Sequence, residues 1–275
     1  MNNSMASVRA ASLEPLDNGV PFEDDATGAH TILGHTVSRN DAVATADADA
    51  ANIANACKVK LCGLKREQDM DAALAAGPDA VGFIIDFPQS HRSISAERVA
   101  ELVRYMKTRA DETGVTSPAA VGVFVDQPAG RVAQIAREAD LDVIQLHGHE
   151  DEDYLAELRE LVTMPIMQAF KVREATDVAQ AVESSADMVL LDAGAGDGKS
   201  FDWSLVAEVD RPFMLAGGLS AENVVEAIRA THPFGVDMSS GIETERLKDP
   251  VKMLAAVKAV REMADSTKAS DANDT

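Results

Sequence analysis

The stretch "VKLCGLKREQD", residues 59–69, decides the fold. An apolar run breaks at Gly63 into a polar turn and a helical pattern begins behind it, so the segment reads as a strand handing over to a helix. In an open, doubly wound sheet this first turn carries a run of spaced glycines that holds a dinucleotide. Here "CGLKREQD" supplies one glycine and no repeat. The same strand-then-helix alternation recurs seven more times before residue 264. The further strand candidates are "AVGFIID", "AVGVFVD", "VIQLHG", "PIMQAFKV", "MVLLDA", "PFMLAGGL" and "GVDMSSGIE". Stretches such as "SAERVAELVRYMKTR" and "PAGRVAQIAREA" place apolar residues at i, i+3, i+4 and i+7, and Ser95, Pro128, Thr176 and Ser220 are read as their caps or first-turn residues. The strands are nearly continuous in hydrophobicity, as a parallel sheet covered by helices requires. Eight β-α units over residues 58–264 predict an α/β fold, a single closed (β/α)8 TIM barrel.

Composition sets what the barrel can bind. The chain of 275 residues carries a formal net charge of −21, with a pI near 4.5. Nothing so acidic neutralises a run of phosphates, which excludes nucleic acid as a partner. A basic membrane-surface helix is excluded on the same ground, and no apolar stretch approaches the roughly 18 to 20 residues needed to span a bilayer. The two cysteines, Cys57 and Cys62, form neither a disulfide framework nor a C-x-x-C pair. A reducing cytoplasm is the expected location. Residues 1–57, with "DNGVPFEDDATGAH" and "ATADADAANIANA", lack sustained periodicity and carry eight acidic residues against two arginines. They read as a disordered acidic extension rather than a signal or transit peptide, and residues 265–275, "DSTKASDANDT", read as a disordered tail.

Chemistry in such a barrel belongs to the loops after the strands' C-terminal ends. The residues there are Cys62 with Gly63, Asp86 with Arg92 beyond it, Asp126, Gln145 with His147, Lys171 and Asp192. The last two strands contribute Gly217 with Gly218, and Asp237 with Ser239, Ser240 and Gly241. Small residues in the last two loops allow backbone N–H groups to approach an anion, and in this fold those loops frequently hold a phosphate. A phosphorylated small-molecule substrate is expected; a merely tight turn is the competing reading. Cys62 and Asp126, on the first and third strands, would face each other across the barrel mouth as a base and an acid do. Spacing alone leaves both open: Cys62 is equally an inert buried thiol, and Asp126 equally a cap for the helix at Pro128.

The ordered set "KVKLCGLKREQD", "DAVGFII", "SHRSIS", "VGVFVDQP", "IQLHGHED", "LLDAGAGDGKSFDW", "LAGGLSAENV" and "VDMSSGIE" resembles the phosphoribosylanthranilate isomerase family of tryptophan biosynthesis, from about Lys58 to about Glu262. The resemblance implies an Amadori rearrangement, an aldose-ketose isomerisation of N-(5-phosphoribosyl)anthranilate to 1-(o-carboxyphenylamino)-1-deoxyribulose 5-phosphate. It implies Cys62 as the general base and Asp126 as the general acid. It further implies Arg92, Gln145, His147 and Asp237 as substrate-binding residues, with Gly217, Gly218, Ser239, Ser240 and Gly241 around the phosphate. No metal and no cofactor is implied, and members of the family occur as monomers and homodimers. The chain departs from the family pattern at His91, where proline usually precedes the arginine, and at Ile242, where valine usually follows the glycine. A thiol beside a phosphate and a carboxylate resists ionisation, so local donors must compensate. Trp203 is expected to pack a sixth helix against the barrel. Two alternatives are the histidine-pathway aminoaldose isomerase, which pairs two aspartates, and a non-catalytic phosphate-binding barrel.

Overall fold

The computed structural model describes residues 30–32, 35–37, 57–193, 203–207 and 209–271. All eight expected strands are present: β1 Lys58–Cys62, β2 Ala80–Ile85, β3 Ala119–Phe124, β4 Val143–Leu146, β5 Ile166–Lys171, β6 Met188–Asp192, β7 Phe213–Ala216 and β8 Gly235–Met238. Each pairs in parallel with its neighbours in chain order. Strand β8 pairs back onto β1, with Asp237 opposite Lys60 and Met238 opposite Leu61, and this closes the barrel. A two-residue strand, Ser93–Ile94, adds to the rim beside β2.

Strands β2 to β7 alternate between two cores. Outward residues such as Val59, Leu61, Phe83, Phe124, Leu146 and Leu215 meet the helices in one large cluster. Inward residues form a second, smaller cluster inside the barrel, with Ala80, Val121, Val143, Met167, Met188, Leu190 and Met214 among them. Side chains rather than a channel therefore fill the barrel interior.

Seven α-helices lie among the described residues: α1 Glu67–Ala76, α2 Ala96–Thr113, α3 Ala129–Glu138, α4 Glu152–Arg159, α5 Ala175–Glu183, α6 Val224–Thr231 and α7 Pro250–Asp271. Their ends follow sequence signals. Ser95 caps α2, its side chain accepting from the Arg98 N–H, and Gly77 and Gly114 close α1 and α2 in the left-handed region. Pro128 occupies the cap position of α3, and Thr176 lies in the first turn of α5. Ser220 is not a helix cap: α6 starts later, at Val224, behind Asn223, whose side chain accepts from the Ser220 N–H at 2.9 Å.

Three further expectations need adjustment. After β6 the described residues contain a single 3₁₀ turn, Trp203–Leu205, in place of a sixth α-helix; Trp203 does pack against the main core. Helix α7 runs to Asp271, well into the expected disordered tail, because "ADSTKASD" contains no proline or glycine to stop it. Within the first 57 residues, His30–Ile32 and His35–Val37 pair antiparallel. The reading of the rest of that extension as disordered lies outside the described residues. Among the described residues no helix is long and apolar enough to cross a membrane.

Candidate active site

Alternation along β1 aims Lys58, Lys60 and Cys62 into the barrel, while Val59 and Leu61 join the outer core. Cys62 is buried at the end of the strand, directly across the register from Gly82 of β2. The missing side chain at Gly82 makes room: a Cβ there would sit 2.7 Å from Cys62 Sγ and 3.0 Å from Lys60 Nζ. Lys60 is completely buried and donates to Asp237 Oδ2 at 2.9 Å. Burial pushes the Cys62 thiol above its ordinary range and prevails; the Lys60 ammonium pulls it down, Asp237 opposes Lys60, and Lys248 adds a weaker downward pull. Lys60 and Lys248 are the cations that offset part of the effect of burial.

Asp126 lies two residues past the end of β3, with a positive φ of 51° that an aspartate tolerates better than most residues. Its carboxylate is half exposed and faces the loop after β4, accepting from the His149 backbone N–H at 2.6 Å. Its second oxygen lies 3.1 Å from His149 Nδ1. These two contacts hold the Asp126 carboxyl below its ordinary range. The Asp126 N–H donates to Glu150 Oε1 at 2.8 Å, and Glu150 Oε2 accepts from the Gly148 N–H at 2.8 Å. Glu150 thus ties the two loops together.

Arg92 stands over Gly63, where a Cβ would lie 2.6 Å from Arg92 Cδ. Its guanidinium pairs in fork fashion with Glu243, Nε to Oε1 at 2.6 Å and Nη2 to Oε2 at 2.8 Å. Lys248 Nζ donates to the same Oε1 at 2.7 Å and to the Ser239 carbonyl at 2.9 Å. Although burial works against its charge, these donors bring the Glu243 carboxyl down to about 2. Sequence reading missed Glu243 and Lys248 altogether.

Gln145 and His147 are near each other at the end of β4, Gln145 Nε2 to His147 Nδ1 at 3.3 Å, and His147 Nε2 is 3.6 Å from Asp192 Oδ2. Two buried acceptors in the barrel, Gln145 Oε1 and Asp237 Oδ1, have no hydrogen-bond partner among the described residues. Such orphan acceptors suit a ligand's donors. In the last two loops Gly217 and Gly218 take φ values of 107° and 67°. Ser240–Ile242 form a 3₁₀ turn, and Gly241 backs onto the Leu219 carbonyl so closely that a Cβ would collide with it. Ser239 Oγ donates to the Cys62 carbonyl at 3.1 Å, joining the loop after β8 to the end of β1.

A closed parallel barrel whose strand ends gather a buried thiol, a rim carboxylate, an arginine and two small-residue loops defines an enzyme acting on a small anionic substrate at the C-terminal face. Residues 59–259 match the model of the family described as N-(5'phosphoribosyl)anthranilate (PRA) isomerase, and the chain belongs to that family, isomerases of tryptophan biosynthesis. A protein named N-(5'-phosphoribosyl)anthranilate isomerase from Endomicrobium trichonymphae is 37% identical over 211 residues, covering 75% of this chain and 99% of the relative. The Rhodospirillum rubrum protein of the same name is 40% identical over 217 residues, covering 74% and 97%. A solved phosphoribosyl anthranilate isomerase in complex with reduced 1-(o-carboxyphenylamino)-1-deoxyribulose 5-phosphate aligns with a TM-score of 0.63 at 30% identity, over 75% of this chain and 99% of that one. A structure of monomers generated from the dimeric Thermotoga maritima enzyme aligns with a TM-score of 0.65 at 30% identity, over 75% and 99%.

Proposed function

We propose that the chain isomerises N-(5-phosphoribosyl)anthranilate to 1-(o-carboxyphenylamino)-1-deoxyribulose 5-phosphate, with Asp126 as general acid and Cys62 as general base. The observation that carries the role of Cys62 is its inward placement above the space left by Gly82, beside the buried Lys60. A thiol meant only for packing has no need of a buried ammonium neighbour.

The reaction begins at the furanose ring. Asp126 donates its proton to the ring oxygen as the C1–O bond breaks, and the anilinic nitrogen lone pair forms the Schiff base. Cys62 thiolate then takes the C2 proton, becoming a thiol, and the C2–H electron pair flows to the iminium nitrogen. The resulting enolamine tautomerises to the ketone. In the free protein His149 favours the charged form of Asp126, so protonation accompanies substrate binding, when the anionic substrate raises the carboxyl's pKa.

Arg92 binds the anthranilate carboxylate. Glu243 engages its Nε and Nη2, leaving Nη1 for that contact. Gln145, His147 and Asp237 line the sugar and anilinic portion; the open acceptors on Gln145 and Asp237 favour this reading. The phosphate rests on the backbone of Gly217, Gly218, Ser239, Ser240 and Gly241, with the positive φ of the two glycines favouring close approach. Residues 58–264 form the catalytic domain and the preceding extension takes no part. The enzyme works in the cytoplasm as a monomer or homodimer, without metal or cofactor. A fluorescence assay following turnover of anthranilate-linked ribose phosphate tests the activity; a purified, folded protein that leaves this substrate unchanged would overturn it.

A further inference from the structure

A lysine inside a barrel is a costly residue. Removing its ammonium from water is unfavourable unless paired charge and hydrogen bonds compensate. Lys60 is nevertheless completely buried, two residues before Cys62 on the same inward face of β1. Its partner is Asp237 Oδ2 at 2.9 Å, from the adjacent strand β8. The absent side chain of Gly82 opens a space that the Lys60 ammonium and the Cys62 sulfur both border. A buried ion pair needs only Asp237 and Lys60, so this shared space is what asks for an explanation.

We propose that Lys60, anchored by Asp237, is a positioning residue whose ammonium acts as counter-ion to Cys62 and lets it work as a thiolate inside the barrel. The proposal rests on the reading of Cys62 as the base. Burial works against the Lys60 charge, but Asp237 and Cys62 together keep it above the ordinary lysine range, so it stays protonated throughout. The charged groups acting on Cys62 are Lys60 from its own strand, Asp237 from β8, Lys248 from the segment after β8, and Arg92 from the loop after β2. Lys60 exerts the largest pull toward the thiolate. The proton balance is simple: Cys62 gives up its proton to solvent before the step, takes the substrate C2 proton during it, and Lys60 neither gains nor loses one.

Asp237 has a divided task. It holds Lys60 in place, and its own negative charge opposes thiolate formation. Its free oxygen, Oδ1, is an acceptor for a substrate donor. A ligand hydrogen bond there draws the carboxylate's charge away from the thiol and leaves the ammonium's pull on Cys62 less opposed.

The test titrates Cys62 by its rate of iodoacetamide alkylation against pH, with Cys57→Ser making it the sole thiol. Lys60→Met is expected to move the alkylation titration upward by at least about one pH unit, slowing alkylation near pH ~8 about tenfold, the scale of a lost opposite charge at short range. The same variant should lower kcat more than it raises KM. Should Lys60→Met fail to fold, the comparison is made in an Asp237→Asn background, where no buried carboxylate is orphaned; adding Lys60→Met must still raise the titration. Coincident titrations with and without Lys60, while Cys62→Ala is inactive, overturn the counter-ion role and leave the base intact. Near-native turnover by Cys62→Ala removes the base and this proposal together.

Discussion

Asp126 accepts two hydrogen bonds from a single residue, His149: the backbone N–H at 2.6 Å on Oδ1 and the ring Nδ1 at 3.1 Å on Oδ2. The arrangement depends on Gly148, because a Cβ there would collide with Asp126 Oδ1. Both contacts favour the carboxylate, so the acid form is lost at lower pH than for a free aspartate. Replacing His149 by alanine removes the ring contact and keeps the backbone one. The Asp126 pKa then rises, more of it is protonated at any given pH, and the limb of the kcat/KM profile that requires the acid moves to higher pH. Asp126→Asn is expected to lower kcat by at least about a hundredfold, the usual scale for a general acid. If His149→Ala were as damaging, with its fold intact, the proton would belong to His149 instead.

Glu243 gives the structure a distinct acid response. Its carboxyl is buried against charge yet brought down to about 2 by Arg92 and Lys248, from an ordinary value of 4.5. A folded-state pKa below the unfolded one contributes stability that is fully present above the unfolded value and is lost as pH falls through the folded one. Melting temperatures measured between pH ~5 and ~2 should therefore decline, and Glu243→Gln should flatten part of that decline. At neutral pH the same variant should be less stable by about 1–3 kcal/mol, because two cations lose a buried partner. An unchanged neutral melting temperature in Glu243→Gln would show the network to be energetically idle.

The barrel was legible in the sequence because its strands are short, apolar and evenly spaced, and because each change of element is marked by a glycine or a small polar residue. The strand-end residues followed from the fold. What the sequence hid were interactions that depend on register and on chain-distant loops. Lys60 lies mid-strand, so a search confined to strand ends passes over it; the available signal was its two-residue spacing from Cys62, which puts both on one face. Glu243 and Lys248 lie beyond the last strand and act on Arg92, 151 residues away from Glu243 in the chain. No local pattern announces such a pairing. The pairing of His149 with Asp126 was equally hidden, because the strand-end reading stopped at Gln145 and His147, two residues short of it.

The two loops proposed to hold the phosphate respond differently to a methyl group. At Gly218 the space for a Cβ is open, but the φ of 67° is left-handed, so alanine there costs about 1 kcal/mol in backbone energy. At Gly241 the added carbon would run into the Leu219 carbonyl, and one loop must move relative to the other. Gly241→Ala is expected to raise KM and weaken inhibition by inorganic phosphate by about tenfold, equivalent to about 1.4 kcal/mol of binding. Gly218→Ala should raise KM less and lower the melting temperature slightly. Phosphate inhibition unaltered in both folded variants would mean that these glycines serve only their turns.

The charge of the barrel predicts how it answers salt. The extension carries eight acidic residues against two basic, and residues 265–275 three against one, so residues 58–264 hold −13 of the total −21. Much of this lies in clusters: Asp151, Glu152, Asp153, Glu157 and Glu160 crowd one short stretch around α4, with Arg159 the one basic residue among them. Those side chains are exposed, and like charges within a Debye length of about 10 Å at 0.1 M ionic strength repel one another in the folded state more than in the expanded chain. Added potassium chloride screens that repulsion and raises the melting temperature. The ion pairs of the site respond less, because Lys60, Asp237 and Lys248 are buried away from the screening ions. The melting temperature of the full chain should climb steadily from about 0.1 M into the molar range, while the Lys60–Asp237 pair stays intact. A curve that is flat above about 0.3 M would limit the salt effect to ordinary screening and leave the acidic surface without a role in stability at high salt.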